Sequence, residues 1–134
     1  MLFRSVAGGA LRLWCYRAMG RMFTWELSIK RGHTLVTTGP YAIMRHPSYT
    51  GSALIGAGML LCHFAPGSWF AECVGWETAW ARVATTLWAA WLVGLPVWLL
   101  SRVPTEDAVL QKEFGEEWEA YRRRTPWRVI PYIY

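Results

Sequence analysis

Charged residues are absent from two long stretches of the chain, 46–71 and 83–101, and crowd the segments on either side. Within these gaps, residues 49–65 and 83–100 are apolar or small apart from a few hydroxyls and His63. At a rise of ~1.5 Å per residue, such runs approach the ~30 Å thickness of a bilayer's hydrocarbon core. The pattern predicts an all-α integral membrane bundle with two spans, over about 49–65 and 83–100. Ser52, Ala53, Gly56 and Ala57 recur at spacings of four in the first span, where small side chains let helix backbones approach. Pro96 in the second frees a backbone carbonyl and predicts a bend, which lipid tolerates only where neighbouring helices cover it.

The basic residues orient these spans. Seven of the 14 Lys and Arg lie in residues 1–45 and six in residues 102–134, leaving only Arg82 between. Short basic flanks stay cytoplasmic, so both chain ends are expected on the cytosolic side and residues 66–82 on the far side, turning at Pro66-Gly67. After the second span, Pro104-Thr105 followed by Glu106-Asp107 reads as a helix start, with a capping hydroxyl and two acids at the positive end of the dipole. Leu110, Phe114, Trp118 and Tyr121 share one face, Arg122–Arg124 favour the far end, and Pro126 stops it. This predicts a cytosolic C-terminal amphipathic helix along the membrane surface. At the other end, Arg4, Arg12, Arg17 and Arg21 with no acid suit a mitochondrial presequence, while Trp14, Tyr16 and Trp25 suit an interfacial helix. The interfacial helix is the expectation; Arg12 and Arg17 interrupt any secretory apolar core.

Composition narrows the class. A chain of 134 residues holds a single domain. It is 54% hydrophobic and 17% charged, with ten tryptophans, which excludes disorder and argues against a freely soluble globule. The net charge of +5 is accounted for by topology, leaving no basic-aromatic module for nucleic acid. Cys15, Cys62 and Cys73 have neither CxxC nor finger-like spacing, so no disulfide framework or metal site is signalled, and mostly buried thiols are expected.

Two stretches hold polar groups beyond what anchoring requires. One runs His33-Thr34-Leu35-Val36-Thr37-Thr38-Gly39-Pro40-Tyr41 and then Arg45-His46-Pro47-Ser48-Tyr49-Thr50-Gly51, directly before the first span. The other holds Arg102 and Glu106, directly after the second. With both ends cytosolic, the two meet at one membrane face. Gly39-Pro40 predicts a turn, and Pro47 holds His46 in an extended or turn conformation at a helix mouth whose free N–H groups suit an anion. Arg45, His46, Ser48 and Tyr49 add donors and Tyr41 and Tyr49 flat surface, so the pocket suits a zwitterionic, aromatic-bearing ligand. Arg102 and Glu106, four apart, form either a surface ion pair or a division of labour between an anionic substrate and a cationic cofactor.

Read as H-T-L-V-T-T-G-P-Y-x-x-x-R-H-P-S-Y-x-G, residues 33–51 resemble the signature of the isoprenylcysteine carboxyl methyltransferases. The resemblance continues through R-x-x-x-E-D-x-x-L at 102–110, F-G-E-E-W-x-x-Y at 114–121 and Ile130-Pro131. The Arg45–Tyr49 block alone is shared with phospholipid methyltransferases and some membrane reductases. The resemblance implies an endoplasmic-reticulum enzyme that uses S-adenosylmethionine to methylate the C-terminal carboxylate of prenylated cysteine in proteins. It implies cofactor contacts from His33, Thr34, Leu35, Val36, Tyr41, His46, Pro47, Ser48, Tyr49 and Glu106, with Arg102 facing the substrate. Arg102 and Glu106 are thus the catalytic candidates, and Arg45 orients the loop. The family carries further transmembrane helices before the His33 motif, where 32 residues stand here; the chain is either a short form or a fragment, or a helix partner or a second copy supplies the remaining helices. The alternatives are a phospholipid N-methyltransferase on the same scaffold, or a non-catalytic truncated membrane adaptor.

Overall fold

The computed structural model describes residues 2–20, 34–74 and 78–133, and every regular element among them is helical. Helix α1 spans Leu2–Met19, α2 spans Pro47–Phe64 and α3 spans Ala79–Arg124. A 3-10 turn at Gly39–Ala42 precedes α2, and a π-helical turn at Phe70–Val74 follows it. Gly39 takes φ 62°, which a residue with a side chain adopts only under strain, and Pro40 presets the turn after it. The far connection also turns where expected, with Gly67 at φ 76°.

α2 is the central element, and small residues set its distance from both neighbours. On one side α1 runs antiparallel to it, with Ser5 against Gly58, Gly8 against Gly51 and Ile55, and Arg12 against Gly51 and Ser52. A methyl group on Gly8 would lie 2.6 Å from the Gly51 carbonyl oxygen, so the two backbones touch. On the other side α3 is antiparallel as well, placing Leu92 against Gly56, where a Cβ would stand 3.0 Å from the Leu92 oxygen. That carbonyl is the one Pro96, four residues on, leaves without its helical donor. Gly56 thus lets α2 pack directly against that carbonyl. Of the small residues expected at packed positions, Ser52 and Gly56 are buried, whereas Ala53 and Ala57 are exposed.

α3 is the one helix among the described residues long and apolar enough to cross a membrane. The residues before its break at Gly115 rise about 54 Å, well beyond the hydrocarbon thickness. Trp80, Leu87, Trp91 and Trp98 lie exposed along its first half, a surface suited to lipid rather than water. The first expected span forms as α2 close to its expected bounds, but its run of Gly, Ser and Thr leaves it short of that hydropathy, so a second crossing is not established.

Three expectations are corrected. No separate C-terminal helix starts at Thr105: α3 continues through Pro104, with Arg102 tied to Glu106 at 3.3 Å across the proline and Val103 fully buried. Helical dihedrals persist through Pro96 and Pro104 and fail at Gly115 instead, at φ 48° and ψ −115°. Gln111 bonds Glu119 across that break at 2.9 Å. Nor are the cysteines mostly buried: Cys15 is, but Cys62 and Cys73 are exposed. The N-terminal helix exists but packs along α2; Trp25 lies outside the described residues.

Candidate functional site

The site forms where the mouth of α2 meets the middle of α3. His46 caps α2 and Pro47 occupies its first turn, so the chain enters the helix with His46 at φ −123°, ψ 57° and Tyr49 on the side facing α3. Glu106 and Asp107 of α3 point at this mouth. Tyr49 donates its hydroxyl to Glu106 Oε1 at 2.5 Å, and Arg102 stands 3.3 Å from the same oxygen. His46 lies between the two acids, with Nδ1 3.5 Å from Glu106 Oε2 and Nε2 2.9 Å from Asp107 Oδ1. The rings of His46 and Tyr49 stack, 5.6 Å apart and 12° from parallel.

Asp107 gathers cations. Its Oδ2 takes Arg45 Nη1 at 2.9 Å and faces Arg128 Nε at 3.5 Å. Arg45 also lies over the Trp118 ring at 5.6 Å and donates to the Pro126 carbonyl. Behind this loop runs the segment after α3, its carbonyls turned toward the backbone N–H groups that α2's mouth exposes. Arg45 N–H donates to Trp127 O at 2.9 Å and His46 N–H to Arg128 O at 2.7 Å, while Thr50 bonds Val129 O. Tyr121 donates to the Tyr41 carbonyl at 2.8 Å, fixing the 3-10 turn to α3.

These contacts enclose a cleft lined by Thr34, Leu35, Val36, Tyr41, Arg45, His46, Glu106, Leu110, Phe114, Trp118 and Tyr121. Six expected cofactor residues therefore line it: Thr34, Leu35, Val36, Tyr41, His46 and Glu106. Tyr49 stands behind the wall, holding Glu106, and Pro47 is fully buried as the first turn of α2. Ser48 accepts from Ser52 through its carbonyl, within the helix. Arg102 is off the cleft, paired to Glu106 and lying over Trp98 at 5.1 Å. His33 lies outside the described residues.

The electrostatics follow from these pairings. Burial pushes the His46 pKa down, but hydrogen bonds to Asp107 and Glu106 and their charges outweigh it, and the value stands above that of ordinary histidine. Burial pushes the Glu106 carboxyl up, but hydrogen bonds from His46 and Tyr49 and the nearby cations hold it below the usual carboxylate range. Burial lowers Arg45 against the opposing pull of Asp107. Its Nε is buried with no hydrogen-bond partner among the described residues, a donor left for a ligand. Apolar and aromatic walls, one ionised carboxylate and one spare guanidinium donor fit an amphoteric ligand with a flat ring.

Asp107 and Arg128 have no site role assigned from the sequence, and Phe114, Trp118 and Tyr121, expected on a face along the membrane surface, line the cleft instead. Asp107 is adjacent to Glu106, and in the sequence the dipole of a helix starting at Thr105 accounts for both acids. Without that start, the charge has no such role, and its partners come from 61 residues upstream and 21 downstream. Arg45, expected to orient the loop, is tied to Asp107 and to the Pro126 carbonyl.

The family model for isoprenylcysteine carboxyl methyltransferases matches residues 1–112. A protein-S-isoprenylcysteine O-methyltransferase B of Arabidopsis thaliana is 32% identical over 132 residues, covering 96% of this chain and 56% of the relative. The protein-S-isoprenylcysteine O-methyltransferase of Schizosaccharomyces pombe is 34% identical over 113 residues, 80% of this chain and 38% of its own. A delta(14)-sterol reductase of Methylotuvimicrobium alcaliphilum is 30% identical over 108 residues, 81% of this chain and 21% of its own. The chain thus spans about half or less of the length of these relatives. The family match runs from α1 through the Tyr49–Glu106 contact that closes the cleft, and the chain belongs to the isoprenylcysteine carboxyl methyltransferase family.

Proposed function

We propose that this protein transfers a methyl group from S-adenosylmethionine to the C-terminal carboxylate of a prenylated cysteine, at the cytosolic face of the endoplasmic-reticulum membrane. The observation that carries this reading is the convergence of His46 and Tyr49 at the mouth of α2 on Glu106 of α3. Leu35, Val36, Leu110 and Phe114 would enclose the cofactor's apolar surface, with Tyr41 and Trp118 beside its ring. Arg45 would take its carboxylate, and Glu106 would face its cationic end. When bound, the cofactor supplies an electrophilic methyl group on a sulfonium.

The acceptor carboxylate is already ionised at neutral pH, so no strong general base is needed. What the chain supplies is orientation and exclusion of water. Arg102, paired with Glu106, would bind the acceptor carboxylate, and the exposed apolar face of α3 would offer a path for a prenyl chain arriving through the bilayer. A guanidinium at that place disfavours a protonated amine, which argues against a phospholipid headgroup.

Membranes containing the protein, incubated with labelled S-adenosylmethionine and a farnesylated cysteine analogue, test this reading. Label on the analogue is expected. Label in lipid alone would favour the phospholipid N-methyltransferase, and cofactor binding without transfer would favour a non-catalytic adaptor.

A further inference from the structure

Glu106 and Tyr49 have roles in the proposed reaction; Asp107 has none, yet it holds as many partners as Glu106. One carboxylate meets the His46 imidazole, the Arg45 guanidinium and Arg128, drawn from the loop before α2 and the segment after α3. Its side chain is nearly buried, at 12% exposure, too enclosed for a merely solvated charge. We propose that Asp107 is the positioning residue of this site: by engaging His46 Nε2 while holding Arg45 and Arg128, it turns His46 Nδ1 toward Glu106 and locks the segment 126–129 against the cofactor loop.

The geometry requires a doubly protonated ring for this to work. An imidazole with acceptors at both nitrogens satisfies both only as the imidazolium. Asp107 supplies the nearer of the two acceptors, 2.9 Å against 3.5 Å for Glu106. The groups facing His46 are Glu106 and Asp107 from α3, Arg45 and Tyr49 from its own segment, and Arg102 and Arg128 one step behind the acids. The Asp107 contact also joins pieces of backbone. Arg45 N–H and His46 N–H both bond the 126–129 segment, and Arg128 of that segment returns to Asp107. A closed ring of contacts therefore runs from α3 to the loop, to the tail and back to α3. Loss of Asp107 would free the imidazole to turn and the tail to lift, moving two cleft residues, Arg45 and His46, without removing a group that touches the cofactor.

The inference rests on the proposed cofactor site, but its test has a readout that does not. In the full chain in detergent or nanodiscs, the His46 titration is followed by NMR, and the pH dependence of S-adenosylhomocysteine binding is measured alongside. With Asp107→Asn, the His46 titration is expected to move down by about one unit or more, as for loss of a close opposite charge. The affinity at neutral pH should fall by up to about 100-fold, the scale of a misplaced contact. Asp107→Glu, which keeps the charge, should restore most of both. An unchanged His46 titration in a folded Asp107→Asn protein would overturn the proposal, as would a Glu variant no better than the Asn variant. If wild type binds no S-adenosylhomocysteine, the cofactor reading fails, while the NMR shift still decides the role of Asp107.

Discussion

Tyr49, on the first turn of α2, donates its hydroxyl to Glu106, 57 residues away on α3, at 2.5 Å. A short bond to a partly buried carboxylate both stabilises the anion and fixes its direction. Tyr49→Phe keeps the stacked ring and removes only the donor. We expect the affinity for S-adenosylhomocysteine to drop about tenfold to a hundredfold, the range for a hydrogen bond to a charged group. Glu106→Gln should cost at least as much. Calorimetric titration of the detergent-solubilised protein checks both, and an unaltered Tyr49→Phe affinity would detach Tyr49 from the cofactor.

The network between α2 and α3 gives stability a defined pH window. His46 has a raised folded-state pKa, so its contribution is complete below its ordinary value of 6.5 and is lost as pH rises through the higher folded value. Glu106 behaves oppositely: its contribution is complete above 4.5 and lost as pH falls through its depressed value. Melting midpoints should therefore peak between the two and decline on each side. His46→Gln should abolish the alkaline decline and leave the acid one. A midpoint that keeps rising above neutrality in wild type would contradict the pairing.

Helix contact through glycine makes a sharper test of the fold. Gly8→Ala places a methyl 2.6 Å from a backbone oxygen of α2 and should destabilise by about 1–3 kcal/mol, as overpacking does. Gly9→Ala, one residue on, meets nothing within 4 Å and should be neutral or stabilising by up to about 1 kcal/mol through helix propensity. Thermal denaturation of the two variants side by side reads the difference, and equal midpoints would argue against the α1–α2 contact.

Much of this was legible in the pattern of charges. The long uncharged runs located α2 and the apolar half of α3, and Gly39-Pro40 and Pro47 located the turn and the helix mouth, because backbone restrictions act locally. The spacing of Leu110, Phe114, Trp118 and Tyr121 groups them on one helical face, expected along the membrane surface, and all four line the cleft despite the break at Gly115. What local signals could not give was the continuation through Pro104. Thr105 and two acids look like a cap, but the helix continues through Pro104, and the contacts of Asp107 with His46 and Arg45 that accompany this are tertiary. The same mistaken cap hid Asp107. The irregular segment after α3 is equally invisible beforehand, since its role lies in main-chain carbonyls that any sequence possesses.

Arg102 separates binding from transfer. Its guanidinium pairs with Glu106 but does not line the cleft, and Tyr49 and His46 still hold Glu106 without it. Arg102→Ala should therefore abolish methyl transfer to a farnesylated cysteine analogue while changing S-adenosylhomocysteine affinity only a few-fold, about the effect of losing a partly exposed ion pair. Equal loss of both would place Arg102 in the cofactor site instead.

The most direct measurement is photo-crosslinking of radiolabelled S-adenosylmethionine to the intact protein, followed by peptide mapping. Label is predicted in two peptides distant in sequence, one within 34–49 and one within 106–121, and excess S-adenosylhomocysteine should suppress both together. Label confined to one of them, or resistant to that competition, would contradict a single cleft built by the mouth of α2 and the middle of α3.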